Sequence, residues 1–341
     1  MKYLSGYGTA VAGDWEKDWD KLQFRRLEVE KNGPEGEVVD ELIIKDGEDA
    51  SVLLGLFVPI SGKVMEAMPN LKIIGVSRAG LENVNVEEAT RRGILVFNVQ
   101  GRNAHAVSDF TVGLIIAAAR NIAKAHHAIM TGVWRKQFPN SEFIPELTSR
   151  TMGLIGFGHI GSLVAKKLSG FEPEILVYDP YADENEIKKH GCTAVSLEDL
   201  LKNSDFVSLH ARLSENNKKM IGKRELEMMK PTAYLINTSR AGLVDQNALA
   251  LVLEEKKIMG AALDVFETEP IPAGSPFLKL DNVTLTTHIA GTTADALTNS
   301  PFLLMEDIKN FLSGAGGKFI VNKEVLDKPS FKDWLVSVRG S

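Results

Sequence analysis

One cysteine, Cys192, stands in 341 residues, so the chain can form no internal disulfide and no cluster of cysteine metal ligands. No uncharged apolar run approaches the roughly 20 residues that a membrane-spanning helix needs. The opening "MKYLSGYGTA" lacks the apolar centre of a secretory leader. Positive charge is not in excess either: a net charge of −6 argues against nucleic acid as a partner, because phosphate backbones are bound by basic surfaces. Neither a short tandem repeat nor a low-complexity tract is present, which disfavours solenoids and propellers. The expectation is a cytoplasmic chain that engages neither membrane nor nucleic acid. Its length exceeds what one core usually organises, so two domains are expected.

Apolar runs of strand length alternate with helical patterns, which is how a parallel sheet with crossover helices reads. "ASVLLGLF", "LKIIGVS" and "GILVFNV" read as buried strands, with "SGKVMEAMPN" and "NVEEATRRG" as helices between them and Gly93 near the stop of the second. One long apolar helix is expected over "SDFTVGLIIAAARNIAKAHHAIM", with Ser108 and Asp109 as candidate caps. Six further strands follow in "TMGLIG", "EILVYD", "DFVSLH", "AYLINTS", "GAALDVF" and "NVTLTTH". The last helical stretch and tail are too small for a domain and are expected to return to the N-terminal unit.

The first strand of the second series runs into "GLIGFGHIG", in which Gly156, Gly158 and Gly161 fit G-x-G-x-x-G. The first glycine of that pattern permits the strand-to-helix turn, the second lets a pyrophosphate approach the backbone, and the third lets helix and sheet pack closely. Taken alone, the pattern is weak, since a glycine-rich turn is more often merely a turn. Asp179, however, ends the next strand near the offset at which a carboxylate receives both adenosine ribose hydroxyls and repels a 2′-phosphate. Strand, glycine loop, helix, strand and acid in that order point to NAD rather than NADP.

Three later segments, "INTSRAG", "LDVFETEP" and "TTHIAG", place Arg240, Glu269 and His288 after strand ends, where open α/β sheets bind ligands. Singly, each has a plain explanation: a solvated charge, an acidic turn, a structural histidine. Together they suit hydride transfer to a 2-oxo acid. His288 can supply the proton to the carbonyl oxygen, Glu269 can orient the ring and favour imidazolium, and Arg240 can fork onto the carboxylate while polarising the oxo group. No metal is needed.

These residues sit in a chain that resembles the D-isomer-specific 2-hydroxyacid dehydrogenases over nearly its whole length. The resemblance rests on "SRAGLENVN", "GRNAHAVSDF", "GLIGFGHIG", "INTSRAGLVD", "ALDVFETEP" and "THIAGTT", in the family's order. It implies an α/β fold of two Rossmann-like parallel-sheet domains with a cleft between them. An NAD-binding domain (103–305) would be inserted into a discontinuous, flavodoxin-like substrate domain (1–102 and 306–341). It implies that Arg240, Glu269 and His288 are catalytic, that Asp264 binds the nicotinamide carboxamide, and that Asp179 binds the ribose. His159, Ile160, His210 and Thr238 would join the three glycines around the cofactor. Ala79 and Gly80 would hold the substrate carboxylate, and Arg78 and Arg102 are candidates for a substrate phosphate. A homodimer built through "NIAKAHHAIMTGVW" is also implied.

Two departures stand out. Where the family commonly reads His-x-Pro-Leu-Thr, this chain has "HARLS", with Arg212 for proline and Ser214 for threonine. It also stops soon after "FIVNKEVLDKPSF", so the serine-sensing domain of some phosphoglycerate dehydrogenases is not expected. Formate dehydrogenases share the fold but carry glutamine where Glu269 stands. The expected substrates are small D-2-hydroxy acids and their 2-oxo partners, with 3-phosphoglycerate, glyoxylate and hydroxypyruvate as candidates. The competing reading is an NAD(H)-sensing corepressor of the same fold.

Overall fold

The computed structural model describes residues 8–340, the side chains of Leu42 and Ile44 excepted. Residues 1–7, part of the segment read against a leader, lie outside the described residues, as does Ser341. The chain divides into two compact units. One comprises the chain up to Arg102 together with the segment from Ala294 onward, and the other is Asn103–Thr293.

The first unit is built on three parallel strands, β1 (Val52–Gly55), β2 (Ile73–Val76) and β3 (Leu95–Asn98), in that spatial order. Successive side chains of a strand face opposite ways, and β2 and β3 are buried on both faces while β1 is half-buried. Ile74, Val76 and Val96 meet Val64, Met65 and Ala89 from the short helices Gly62–Glu66 and Val86–Arg92. Gly93 closes the second of these in the left-handed conformation, at φ 76°. Ile73, Leu95 and Phe97 point the other way and meet Leu304, Ile308, Phe311 and Phe331 from helices Ala294–Leu312 and Pro329–Arg339. The far end of the chain thus supplies the second face of the N-terminal sheet. The return crossing falls at Thr293–Ala294, whereas the boundary expected at 305–306 lies inside helix Ala294–Leu312.

The second unit holds seven parallel strands where six were expected. They are β4 (Thr151–Ile155), β5 (Glu174–Tyr178), β6 (Thr193–Ala194), β7 (Phe206–Leu209), β8 (Tyr234–Asn237), β9 (Gly260–Leu263) and β10 (Val283–Leu285). Their order is β10-β9-β8-β7-β4-β5-β6, so the chain reverses direction across the sheet beside β4, the switch point at which doubly wound sheets bind nucleotides. β6 has only two residues, pairing with Leu176 and Val177, and carries no apolar run to announce it.

The long helix expected around residue 108 is two helices, Ala104–Ala119 and Ile122–Met130, bent by 67°. Asn121 makes the break at φ 58°, buried, with its Nδ2 donating to Asn140 Oδ1 at 2.7 Å. The helix begins four residues before Ser108, so neither Ser108 nor Asp109 caps it. Ser108 donates within the helix to His105 O at 2.9 Å, and Asp109 pairs with Lys167 at 2.6 Å. Among the described residues no single helix is long and apolar enough to cross a membrane.

Candidate active site

β4 delivers the chain into the glycine loop, and each glycine meets a different constraint. Gly156 has φ 97°, and a Cβ there would lie 2.6 Å from Ala211 N and 2.7 Å from His210 C, both backbone atoms. A Cβ at Gly161 would lie 2.2 Å from Gly156 O. Gly158 has nothing within 4 Å, so its backbone faces open space at the start of helix His159–Leu168. An unobstructed backbone at a helix N-terminus suits a pyrophosphate, whose charge meets unpaired N–H groups and the positive end of the helix dipole.

Asp179 stands just past β5 and pins this loop. Its Oδ2 accepts from Phe157 N at 2.7 Å and its Oδ1 from Tyr181 N at 2.9 Å. The side chain is half-buried, leaving acceptor capacity for ribose hydroxyls. His210 follows β7 with both ring nitrogens shut off from solvent and without a hydrogen-bond partner. Burial pushes its pKa down to about 4, so the ring is neutral at pH 7. Orphaned buried nitrogens beside an open glycine backbone fit a dinucleotide as the missing partner. Around them, His159 is exposed and Ile160 half-buried, while Thr238 is buried with its hydroxyl 2.8 Å from that of Thr111. Arg212 is exposed on the loop whose preceding peptide packs on Gly156, and Ser214 caps a short turn with Asn217.

The candidate catalytic side chains come from three adjacent strand ends. Asn237, Leu263 and Leu285 lie in one row across β8, β9 and β10. Arg240 and His288 each follow that row by three residues, and Glu269 lies on the loop after β9. His288 Nδ1 is 2.8 Å from Glu269 Oε2, with the two side chains 49% and 32% exposed, open enough for a substrate to reach. Glu269 Oε1 accepts from Phe266 N at 2.9 Å, so the carboxylate is oriented from its own loop. Because Glu269 can only accept when ionised, the Nδ1–H tautomer follows, and Nε2 is left for the mobile proton. Arg240 is exposed, donates from Nη1 to Ser239 O at 2.8 Å, and pairs with no carboxylate among the described residues. Its fork is therefore available for an anion.

Asp264, expected at the nicotinamide carboxamide, is fully buried, with both oxygens bonded inside the protein. Two further residues escaped the sequence reading. Asn237 donates to Arg240 O at 2.9 Å and accepts from Ser239 N at 3.0 Å, shaping the turn that presents Arg240. Gln246 spans the loop after β9, donating to Val265 O and accepting from Glu267 N, both at 3.1 Å. Nothing near Gln246 in sequence marks it, because its partners lie about twenty positions on, whereas Asn237 bonds within its own "INTSRAG" segment.

In the other unit, Ala79 is exposed, and its carbonyl accepts from Asn98 Nδ2 at 2.8 Å. Arg78 is already neutralised: Nη1 lies 2.7 Å from Glu30, and Nη2 donates to Glu82 at 2.9 Å. This bridge folds over Gly80, where a Cβ would lie 2.3 Å from Glu82 Oε2. Arg102 has no acid partner among the described residues and donates to Ser300 Oγ at 3.0 Å and Ala296 O at 3.3 Å. Burial first, and then the charges of Arg78 and Arg26, lower its pKa.

Comparison with known proteins matches this architecture. The family model described as "D-isomer specific 2-hydroxyacid dehydrogenase, NAD binding domain" covers residues 112–290. A glyoxylate reductase of Korarchaeum cryptofilum is 40% identical over 288 residues, covering 84% of this chain and 87% of that protein. A D-3-phosphoglycerate dehydrogenase of Archaeoglobus fulgidus is 34% identical across 89% of this chain, which spans only 58% of its length. Among solved structures, the NAD-complexed D-isomer specific 2-hydroxyacid dehydrogenase of Lactobacillus delbrueckii ssp. bulgaricus superposes with a TM-score of 0.74 at 26% identity. That match covers 88% of this chain and 97% of the other.

Proposed function

The chain belongs to the D-isomer specific 2-hydroxyacid dehydrogenases, and on that premise we propose that His288, Glu269 and Arg240 carry out the reduction of a small 2-oxo acid. It is an NAD-dependent oxidoreductase interconverting 2-hydroxy and 2-oxo acids. The bound nicotinamide supplies the hydride. The protein's own residues handle charge and the proton. Arg240 forks onto the substrate carboxylate and draws charge towards the carbonyl oxygen as it develops. His288, held through Nδ1 by Glu269, delivers the Nε2 proton to that oxygen, and in the oxidative direction it takes the proton back. The observation that carries this reading is the 2.8 Å contact between His288 and Glu269 at the ends of neighbouring strands in the sheet that bears the glycine loop.

We assign the cofactor to the Asn103–Thr293 unit and the substrate role to the unit carrying Ala79 and Gly80. Glyoxylate and hydroxypyruvate are favoured over a phosphorylated acid, because Arg78 is already held between two glutamates, and Arg102, though without an acid partner, is half-buried and turned onto Ser300 Oγ and Ala296 O. A homodimer is proposed through helix Ile122–Met130 and the residues after it, where Ile129, Met130, Val133 and Trp134 are all more than half exposed. A cytoplasmic setting is proposed with it, consistent with a lone, buried free thiol at Cys192. The test is NADH oxidation against glyoxylate, hydroxypyruvate, 3-phosphohydroxypyruvate and pyruvate. Turnover of the first two above the phosphorylated acid supports the assignment, and turnover of none of the four refutes it.

A further inference from the structure

An amide side chain withdrawn from water is costly unless both of its ends are bonded, so the partners of those ends show what the fold uses it for. Gln246, the first residue of helix Gln246–Glu254, is buried. Its Nε2 donates to Val265 O and its Oε1 accepts from Glu267 N, both at 3.1 Å. A carbonyl only accepts and a backbone N–H only donates, so the amide has one orientation. The side chain stands on rigid ground. Asp245 caps the helix through Asn247 N and Ala248 N, both at 3.1 Å, and Leu249, Val252 and Leu253 are buried in the core. Both bonds of Gln246 reach the irregular loop after β9, where neither strand nor helix fixes the backbone.

Val265 O and Phe266 N–H belong to one planar trans peptide unit, so they point in opposite directions. Gln246 holds the carbonyl side of that unit. On the other side Phe266 N donates to Glu269 Oε1 at 2.9 Å, which leaves Glu269 Oε2 to meet His288 Nδ1 at 2.8 Å. The bond from Glu267 N to Gln246 Oε1 holds the following peptide and opposes a flip of the unit. A buried amide thus sets the tilt of the peptide that aims the carboxylate that aims the ring. We propose that Gln246 is a positioning residue for proton delivery, acting through the Val265–Phe266 peptide on Glu269 and through Glu269 on His288. This rests on the reading of His288 and Glu269 as the acid–base pair. Because Gln246 is buried and bonded to backbone alone, it acts on turnover rather than on binding.

The test compares Gln246→Met, Gln246→Glu and His288→Ala with wild type, using whichever of the four 2-oxo acids wild type reduces fastest. NADH Kd is read by fluorescence titration, and kcat and KM are read from pH 5.5 to 8.5 at saturating NADH. Methionine keeps the length of the side chain and removes both bonds. Its kcat is expected to fall at least fivefold, with KM and NADH Kd within threefold of wild type. Its reductive pH profile is expected to move to lower pH, as the hold of Glu269 on imidazolium loosens. Glutamate keeps the acceptor for Glu267 N but donates to Val265 O only while protonated, and burial raises such a carboxyl into the measured range. The ratio of its kcat to that of wild type is therefore expected to rise at least threefold from pH 8.5 to pH 5.5. A smaller fall in Gln246→Met, or an unmoved pH profile, overturns the proposal. If Gln246→Met does not fold, Gln246→Glu decides, and a kcat ratio that stays constant with pH overturns it. Wild-type turnover in His288→Ala would instead remove the proton donor, a separate failure.

Discussion

Two alanine substitutions two residues apart should separate the structural glycine from the cofactor glycine. At Gly156 an alanine meets both a left-handed backbone, φ 97°, and backbone atoms of His210 and Ala211 at 2.6–2.8 Å that cannot yield as a side chain would. The conformational cost is about 1–2 kcal/mol and overpacking adds about 1–3 kcal/mol, offset by about 0.4–1 kcal/mol from a less flexible unfolded chain. The net destabilisation is about 1–5 kcal/mol, centred near 3 kcal/mol, or a melting point lower by about 6–12 °C at that centre for a unit of this size. At Gly158 φ is −73° and a Cβ meets nothing within 4 Å, so Gly158→Ala should melt within about 2 °C of wild type without ligand. Its defect should appear only with NADH. At 100 times Kd, NADH stabilises wild type by about 2.7 kcal/mol. A methyl standing where the pyrophosphate approaches should weaken binding about 30- to 100-fold, leaving less than about 1 kcal/mol at the same concentration. Differential scanning fluorimetry with and without NADH reads both numbers. A full NADH shift in Gly158→Ala, or wild-type melting in Gly156→Ala, would refute the reasoning.

Other expectations follow from charge and burial. Asp179→Asn keeps an oxygen for Phe157 N but removes the negative charge, so the preference for NAD over NADP should fall about tenfold or more, measured as the ratio of kcat/KM values. Arg240→Lys should lose at least about 100-fold in kcat/KM while NADH affinity is retained, because an ammonium cannot reproduce the two-point fork. Burial holds the His210 pKa near 4, below its ordinary value, so between pH 6.5 and 4 the unfolded chain takes up a proton that the native protein does not. Stability from this group is therefore complete above about pH 6.5 and declines as pH falls, by about 2 kcal/mol at pH 5. Urea unfolding at pH 7 and pH 5 should show that loss in wild type and a clearly smaller one in His210→Asn.

Much of the molecule is readable from local pattern because most of its strands are dry on both faces. "YLIN" and "FVSL" are buried at every position, so their apolar runs and the turn residues after them betray both strand and strand end. The candidate residues Arg240, Glu269 and His288 follow from those ends. What escapes the sequence is set by distant partners. Asn121 breaks a helix inside an apolar run because Asn140 receives its side chain, and no local breaker marks the place. Helix Ala104–Ala119 starts at Asn103 without a side-chain cap bond, so the nearest polar pair, Ser108 and Asp109, misleads. Arg78 reads as a free cation until Glu30, far off in the chain, is seen beside it. Asp264, which the resemblance places at the nicotinamide carboxamide, has three donors of its own that come from the loop after the next strand, too far off in the chain to be read locally.

Single-turnover reduction of glyoxylate by prebound NADH, followed by loss of nicotinamide absorbance from pH 5 to 9 in wild type and His288→Ala, tests the proton-delivery claim most directly. Wild type should react faster at lower pH, where the imidazole carries its proton. His288→Ala should be slower by about 10²- to 10⁴-fold and lose that pH dependence, while binding NADH about as tightly as wild type. An alanine variant that reduces glyoxylate at the wild-type rate with the same pH profile would contradict the account.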